Sequence, residues 1–240
     1  APARPWGLGF RPAEVGTAAL GGWGGPWVVT RTPTCCANST AAPTRVLTPA
    51  HRYGSARVPD WARVGKTTLI QKASEALKSS GVPVDGFYTE EVRQGGRRIG
   101  FDVVTLSGMR GPLSRIGSTP PPGKRECRVG QYVVDLTSFE QLALPVLRTA
   151  GSNSPGQRVC VIDEVGKMEL FSQPFIQAVR QTLSTPGTVI LGTIPVPKGK
   201  PLALVEEIRT RNDVKVLSVT KDNRNHLLPE IVACVQSGRK

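Results

Sequence analysis

The stretch that most constrains this chain is Val64-Gly65-Lys66-Thr67-Thr68-Leu69-Ile70. A glycine that lets backbone N–H groups approach an anion, a lysine, and a hydroxyl at a helix start are the parts of a loop that cradles a polyphosphate and its cation. Leu69, Ile70, Ala73, Ala76 and Leu77 then fall on one helical face, and Gly81 stands where a C-terminal cap belongs, so the loop is expected to open a helix. The full pattern asks for glycine five residues before Gly65, and Asp60 occupies that position.

Composition divides the 240 residues in two. All four tryptophans precede residue 62 and no lysine occurs before Lys66. Residues 1–63 read as a low-complexity segment, mostly without regular structure, with only short apolar pieces such as Trp27-Val28-Val29-Thr30 and Arg45-Val46-Leu47-Thr48. Starting at Ala1 rather than methionine, the segment is read as an incomplete or alternative N-terminus. Residues 64–240 are expected to form a phosphate-loop domain.

The net charge of +13 is spread along the chain without a run of five basic residues or an aromatic-interleaved basic motif. It therefore points to nucleotide phosphates rather than nucleic acid as the anionic partner. Five cysteines, an odd number without a C-x-x-C pair, argue against a disulfide framework and a zinc site, and suit a reducing compartment. No apolar span of membrane length is present, so no membrane partner is expected. Cytoplasmic residence is the reading, with the nucleus also compatible. Mitochondrial import is a minor alternative suggested by the arginine-bearing, acid-poor start.

Strands are expected over 82–90 and 99–106, joined at Gln94-Gly95-Gly96 as a hairpin, then a loop over 108–123 and a strand over 129–136. Thr137-Ser138-Phe139-Glu140 reads as a capping box opening a helix through Leu147, with Pro145 as a kink or stop. The run Val159-Cys160-Val161-Ile162, ending in Asp163-Glu164, suits a strand buried on both faces. A helix around Phe175–Leu183, a strand over 189–193, a helix over 202–208, a strand over 214–219 and a helix over 226–235 complete the alternation. The fold class is α/β: a largely parallel sheet flanked by helices, with an antiparallel hairpin excursion between residues 84 and 136.

Carboxylates at the end of an apolar strand are natural companions to a phosphate loop: Asp163 for Mg²⁺ beside Thr67, Glu164 to polarise an attacking water. Lys167 and Glu169 follow within six residues and either reach the same region or decorate a turn. His226 and His51 give no support for a histidine relay. Lys198 and Lys200 either touch the nucleotide or line a flexible surface.

From Val64 onward, about three quarters of its length, the chain resembles the small P-loop family of nucleoside-triphosphatases first associated with thermophiles. The likeness rests on V-G-K-T-T-L-I at 64–70, G-F-Y-T-E-E-V-R at 86–93, R-V-G-Q-Y-V-V-D-L at 128–136, V-C-V-I-D-E-V-G-K-M-E-L at 159–170 and K-D-N-R-N-H-L-L-P-E at 221–230. It implies a RecA-like core and Mg²⁺-dependent hydrolysis of several nucleoside triphosphates, ATP and GTP among them; separately, the chain is expected to be a monomer. Lys66 and Thr67 carry over as Walker A residues, Asp163 and Glu164 as Walker B residues. Catalysis is assigned to Glu164 and Lys66, and metal binding to Thr67 and Asp163. The expected nucleotide set is Val64, Gly65, Lys66, Thr67, Thr68, Cys160, Val161, Ile162, Asp163, Glu164, Val165, Gly166 and Lys167. An arginine finger is sought among Arg115, Arg125 and Arg128.

Where the family has a strand and G-P-P-G-V-G-K-T-T, this chain reads Asp60-Trp61-Ala62-Arg63-Val64-Gly65-Lys66-Thr67-Thr68. Residues 52–59 supply no apolar strand, so the first strand is expected to be missing unless part of the tail fills its place. The break is the pattern of a substituted first exon or an error in the gene model. Asp60 near a polyphosphate costs on the order of a few kcal/mol, and Arg63 adds bulk where glycine gives room. Affinity and turnover are expected to be strongly weakened. A compromised isoform acting as a binding or interaction protein is the alternative. A nucleotide or nucleoside kinase is weaker, because no acceptor pocket is identifiable in the sequence.

Overall fold

The computed structural model describes residues 27–31, 65–119, 126–150, 158–196 and 199–238, the first of these as backbone alone. Apart from 27–31, the reading of residues 1–63 lies outside the described residues, as do the loop residues 60–64.

A mixed nine-stranded sheet carries the fold, in the order β5-β6-β4-β3-β2-β7-β8-β1-β9. Its parallel half is built on β7 (Arg158–Asp163), between β2 (Val84–Gln94) and β8 (Thr188–Ile194), both parallel to it. Residues of β7 alternate between two apolar clusters. Val159 and Val161 pack with Leu69, Ile70 and Leu77 of α1 (Lys66–Ser79) and with Ile231 and Val235 of α5 (Leu227–Ser237). Cys160 and Ile162 face the other side, where α2 (Leu136–Ala150), α3 (Gln173–Ser184) and α4 (Ala203–Thr210) pack. There Phe87, Phe139 and Phe175 meet edge to face with centroids 5.0–6.0 Å apart. A continuous apolar run is what a strand covered on both faces requires.

Gly86 sets the spacing of β2 against β7. Its φ is +141°, and a Cβ there would lie 2.2 Å from the Val161 carbonyl oxygen. Only glycine fits so close a backbone approach.

The antiparallel arm is larger than the hairpin expected from the sequence. β2 pairs with β3 (Arg97–Thr105), which pairs with β4 (Arg110–Ile116) in the stretch read as loop. Pro112 and two glycines hide this strand in the sequence. The register slips between Phe101 and Asp102, so that Ser114 and Pro112 face consecutive residues, and proline is tolerated at such a bulge. The strand read over 129–136 is instead a tight hairpin, β5 (Arg128–Val129) and β6 (Tyr132–Val134), turning at Gly130 with φ +59°. The helix after it is capped by Asp135, whose Oδ1 accepts the Ser138 N–H at 3.0 Å, rather than by a box at Thr137, and it runs through Pro145. Glu140 accepts from the Ser172 hydroxyl at 2.6 Å, tying α2 to the cap of α3.

The slot between β8 and β9 (Val214–Ser218) is filled by β1 (Trp27–Arg31), from the segment read as lacking regular structure. It runs antiparallel to both neighbours, Trp27 opposite Ile194 and Ser218, Val29 opposite Gly192 and Val216. The unpaired edges that a missing strand would leave are thereby satisfied. A strand feeding straight into Gly65 would run parallel to β8. β1 points the other way, so it completes the ladder without delivering the loop.

Candidate active site

The C-terminal ends of β7 and β8 meet the start of α1. Gly65, at φ +81°, is the residue before the helix, and its carbonyl accepts the Leu69 N–H at 3.0 Å. The left-handed backbone there turns the chain into the first helical turn, which glycine does at low cost. Lys66 extends to Glu164 and forms an ion pair in a partly buried setting. Burial by itself would lower the Lys66 pKa, but the carboxylates of Glu164 and Asp163 outweigh it and raise the value, keeping the ammonium charged.

Asp163 is buried at the end of β7 and accepts a hydrogen bond from the Thr193 hydroxyl at the end of β8 through Oδ1. Its Oδ2 is buried with no hydrogen-bond partner, and the Thr67 hydroxyl stands beside the carboxylate without closing a bond to that oxygen. Burial pushes the Asp163 pKa up, against the pull of Lys66, Thr193 and Thr67. An orphaned carboxylate oxygen beside a hydroxyl is a pair of hard donors, the chemistry a small divalent cation takes from protein when phosphate and water supply the rest. No group of three or more His, Cys, Asp or Glu side chains able to hold a metal exists among the described residues.

Glu169 is buried in the 3₁₀ turn after the site and accepts the Gly166 N–H at 3.1 Å. Burial first, then the negative charge of Glu164, pushes its pKa to about 8 from the ordinary 4.5. The native state therefore holds this proton to higher pH than the unfolded chain, and the associated stability is lost as pH rises from about 4.5 towards 8. Glu169→Gln is expected to match the parent in melting temperature near pH ~4 and to exceed it increasingly as pH rises to about 8. A difference that stays flat across that range would contradict this.

Of the residues named from sequence, Gly65, Lys66, Thr67, Asp163 and Glu164 come together here. Thr68 is exposed. Cys160, Val161 and Ile162 lie inside the sheet and position the carboxylates from below, and burial pushes the Cys160 thiol up to about 12. Val165 is buried, its N–H bonded to the Thr193 carbonyl at 2.9 Å; Gly166 serves Glu169, and Lys167 is exposed. Val64, Arg125 and Lys198 lie outside the described residues. Arg115 is bound to Asp102 and the Phe101 carbonyl on the antiparallel arm, and Arg128 to Glu126. Sequence reading missed Thr193, which looks like any residue of an apolar strand until its neighbour is known.

A family model described as NTPase matches residues 61–232. The chain belongs to this NTPase family. It is 88% identical over 178 residues to the human cancer-related nucleoside-triphosphatase, covering 74% of this chain and 94% of that relative. Identity to nucleoside-triphosphatase THEP1 of Thermotoga maritima is 39% over 176 residues, covering 73% and 92% of the two chains. Among solved structures, the solution structure of a human cancer-related nucleoside triphosphatase matches with a TM-score of 0.65 at 88% identity, over 73% of this chain and 94% of that one. The crystal structure of THEP1 from Aquifex aeolicus matches with a TM-score of 0.60 at 34% identity, over 72% and 94%. The α/β fold and the P-loop class read from the sequence stand with the family.

No helix among the described residues is long and apolar enough to cross a membrane.

Proposed function

We propose that this chain is a nucleoside-triphosphate phosphohydrolase, converting triphosphate and water to diphosphate and phosphate, with turnover weakened by the front half of its loop. The observation that carries the reading is the convergence of Lys66, Thr67, Asp163 and Glu164 where two buried strands end and α1 begins. In this reading the charged Lys66 and the backbone N–H groups at the start of α1 bind the β- and γ-phosphates. Thr67 and Asp163 would hold Mg²⁺, which would supply charge neutralisation on the phosphate oxygens. Glu164 orients a water for attack on the γ-phosphorus, and the bond to the bridging oxygen breaks to leave the diphosphate. A phosphate that draws Lys66 to itself releases Glu164 from their ion pair, so substrate binding and activation of the water-orienting carboxylate are linked. Thr193 holds Asp163 in place.

The weakening is read from the sequence, where Asp60 and Arg63 stand at positions for which a phosphate loop calls for small, neutral residues. The protein is assigned as a monomer of the cytoplasm with ATP and GTP among its substrates. Product analysis tests the reading: equal amounts of phosphate and diphosphate from ATP and GTP, dependent on Mg²⁺ and without an added acceptor, are expected. Phosphate transfer that requires a nucleotide or nucleoside acceptor would replace it with the kinase reading.

A further inference from the structure

We propose that Glu169 is a positioning residue for hydrolysis: through Gly166 it fixes the place of the Glu164 carboxylate once a phosphate has drawn Lys66 away. The inference rests on the nucleotide-site reading above.

Residues 164–172 lead from the end of β7 to the cap of α3, and they are tied near both ends. The Val165 N–H donates to the Thr193 carbonyl of β8 at 2.9 Å. The Ser172 hydroxyl caps α3 by accepting the Phe175 N–H at 3.1 Å, and it donates to Glu140 of α2 at 2.6 Å. Between these ties Gly166 is held by both of its polar groups. Its N–H donates to Glu169 Oε2 at 3.1 Å, and its carbonyl accepts the Leu170 N–H at 3.1 Å. Glu169 is only 3% exposed, so its carboxyl is committed to this turn rather than to solvent.

Glu164 leans on the same glycine. A Cβ on Gly166 would lie 2.5 Å from Glu164 Oε1, 3.1 Å from its Cγ and 2.9 Å from Glu169 Oε2. Both carboxyl groups therefore border the space that a side chain at 166 would fill, and the bare α-carbon is a wall against which Glu164 rests. The ion pair with Lys66 fixes the same carboxylate from the other side. When phosphate takes the lysine, Glu164 regains rotamer freedom, which for a glutamate amounts to about 1.5–2 kcal/mol. The wall then limits where its carboxylate can go. That limit matters, since a reacting group misplaced by about 1 Å can cost on the order of 10²-fold in rate. With its pKa pushed up to about 8 by burial and by Glu164, Glu169 holds the wall at neutral pH without adding another negative charge.

The test is single-turnover phosphate release, with the full chain in excess over labelled magnesium–ATP, in the parent and in Glu169→Ala, Glu169→Gln and Gly166→Ala. Magnesium–ADP affinity is measured alongside by calorimetry. Glu169→Ala is expected to lower the rate constant about 10–100-fold at unchanged ADP affinity, because the loss falls on the water-orienting group and not on the phosphate-binding ones. Glu169→Gln is expected to recover most of that loss, since its amide oxygen accepts from Gly166 as the neutral acid does. Gly166→Ala leaves Glu169 present and presses a methyl on Glu164; it is expected to slow release by a similar factor, and it decides the matter if Glu169→Ala fails to fold. Unchanged rates in Glu169→Ala and Gly166→Ala would overturn the positioning role and leave the hydrolase reading standing. Loss of ADP affinity in step with rate, or a Glu169→Gln as slow as Glu169→Ala, would overturn it too. A parent whose release does not depend on Lys66 and Glu164 would overturn the hydrolase reading and this role with it.

Discussion

Val29→Pro is expected to lower the melting temperature by about 6–12 °C, because it removes a hydrogen bond from a strand paired on both sides. Val29 stands opposite Gly192 on one side and Val216 on the other. In such a strand every interior N–H points at one neighbour or the other, and proline has none to give. Its ring also crowds the adjacent chain, so the total cost is about 3 kcal/mol or more. Against a net stability of roughly 5–15 kcal/mol for a domain, that is a large fraction. Hydrogen exchange gives the local readout: protection of the Gly192 and Val216 amides is expected to fall with the substitution. Unchanged melting and unchanged protection would mean that β8 and β9 do not depend on this strand.

Lys66→Ala is expected to reduce phosphate release by about 10²–10³-fold, the scale on which one preorganised donor at a developing charge acts. Two consequences accompany it. Asp163 and Glu164 lose the cation that offsets their burial, so the Asp163 pKa rises further. Stabilisation of the fold by magnesium–ATP is also expected to vanish in a thermal melt, since a ligand stabilises only the state that binds it. Phosphate release and nucleotide-dependent stabilisation that both survive Lys66→Ala would place the nucleotide elsewhere.

How far the sequence could be read depended on whether the deciding contacts were local. β7 was legible because a run of apolar residues ending in two carboxylates has few other uses, and α1 because its period and its cap at Gly81 agree. β4 was hidden by Pro112, whose place at a bulge is decided by the partner strand and not by its own neighbours. Gly130 made two short strands from what reads as one. The helix cap at Asp135 was overlooked because the pattern at Thr137 looked equally good in one dimension, and Glu140 is used by Ser172 across the helix pair.

The site divides in the same way. Lys66, Thr67, Asp163 and Glu164 announce themselves as a motif, but Thr193 belongs to the site only through the sheet order, which sets the end of β8 beside the end of β7. The tail strand is the furthest from legibility. Trp27–Arg31 carries no pattern stronger than other short apolar pieces, and its place is set by an open slot between two strands far along the chain. Its direction is equally invisible, yet direction is what separates completing the sheet from delivering the phosphate loop.

The most direct measurement is Mg²⁺-dependent phosphate release from ATP and GTP by three proteins: this chain, its Lys66→Ala variant, and a version whose residues before Val64 are replaced by an apolar strand and G-P-P-G. Slow release that depends on Lys66, and faster release by the repaired version, is the predicted result. Release that ignores Lys66, or a repaired version that releases no phosphate, would contradict a hydrolytic site built on Lys66, Thr67, Asp163 and Glu164.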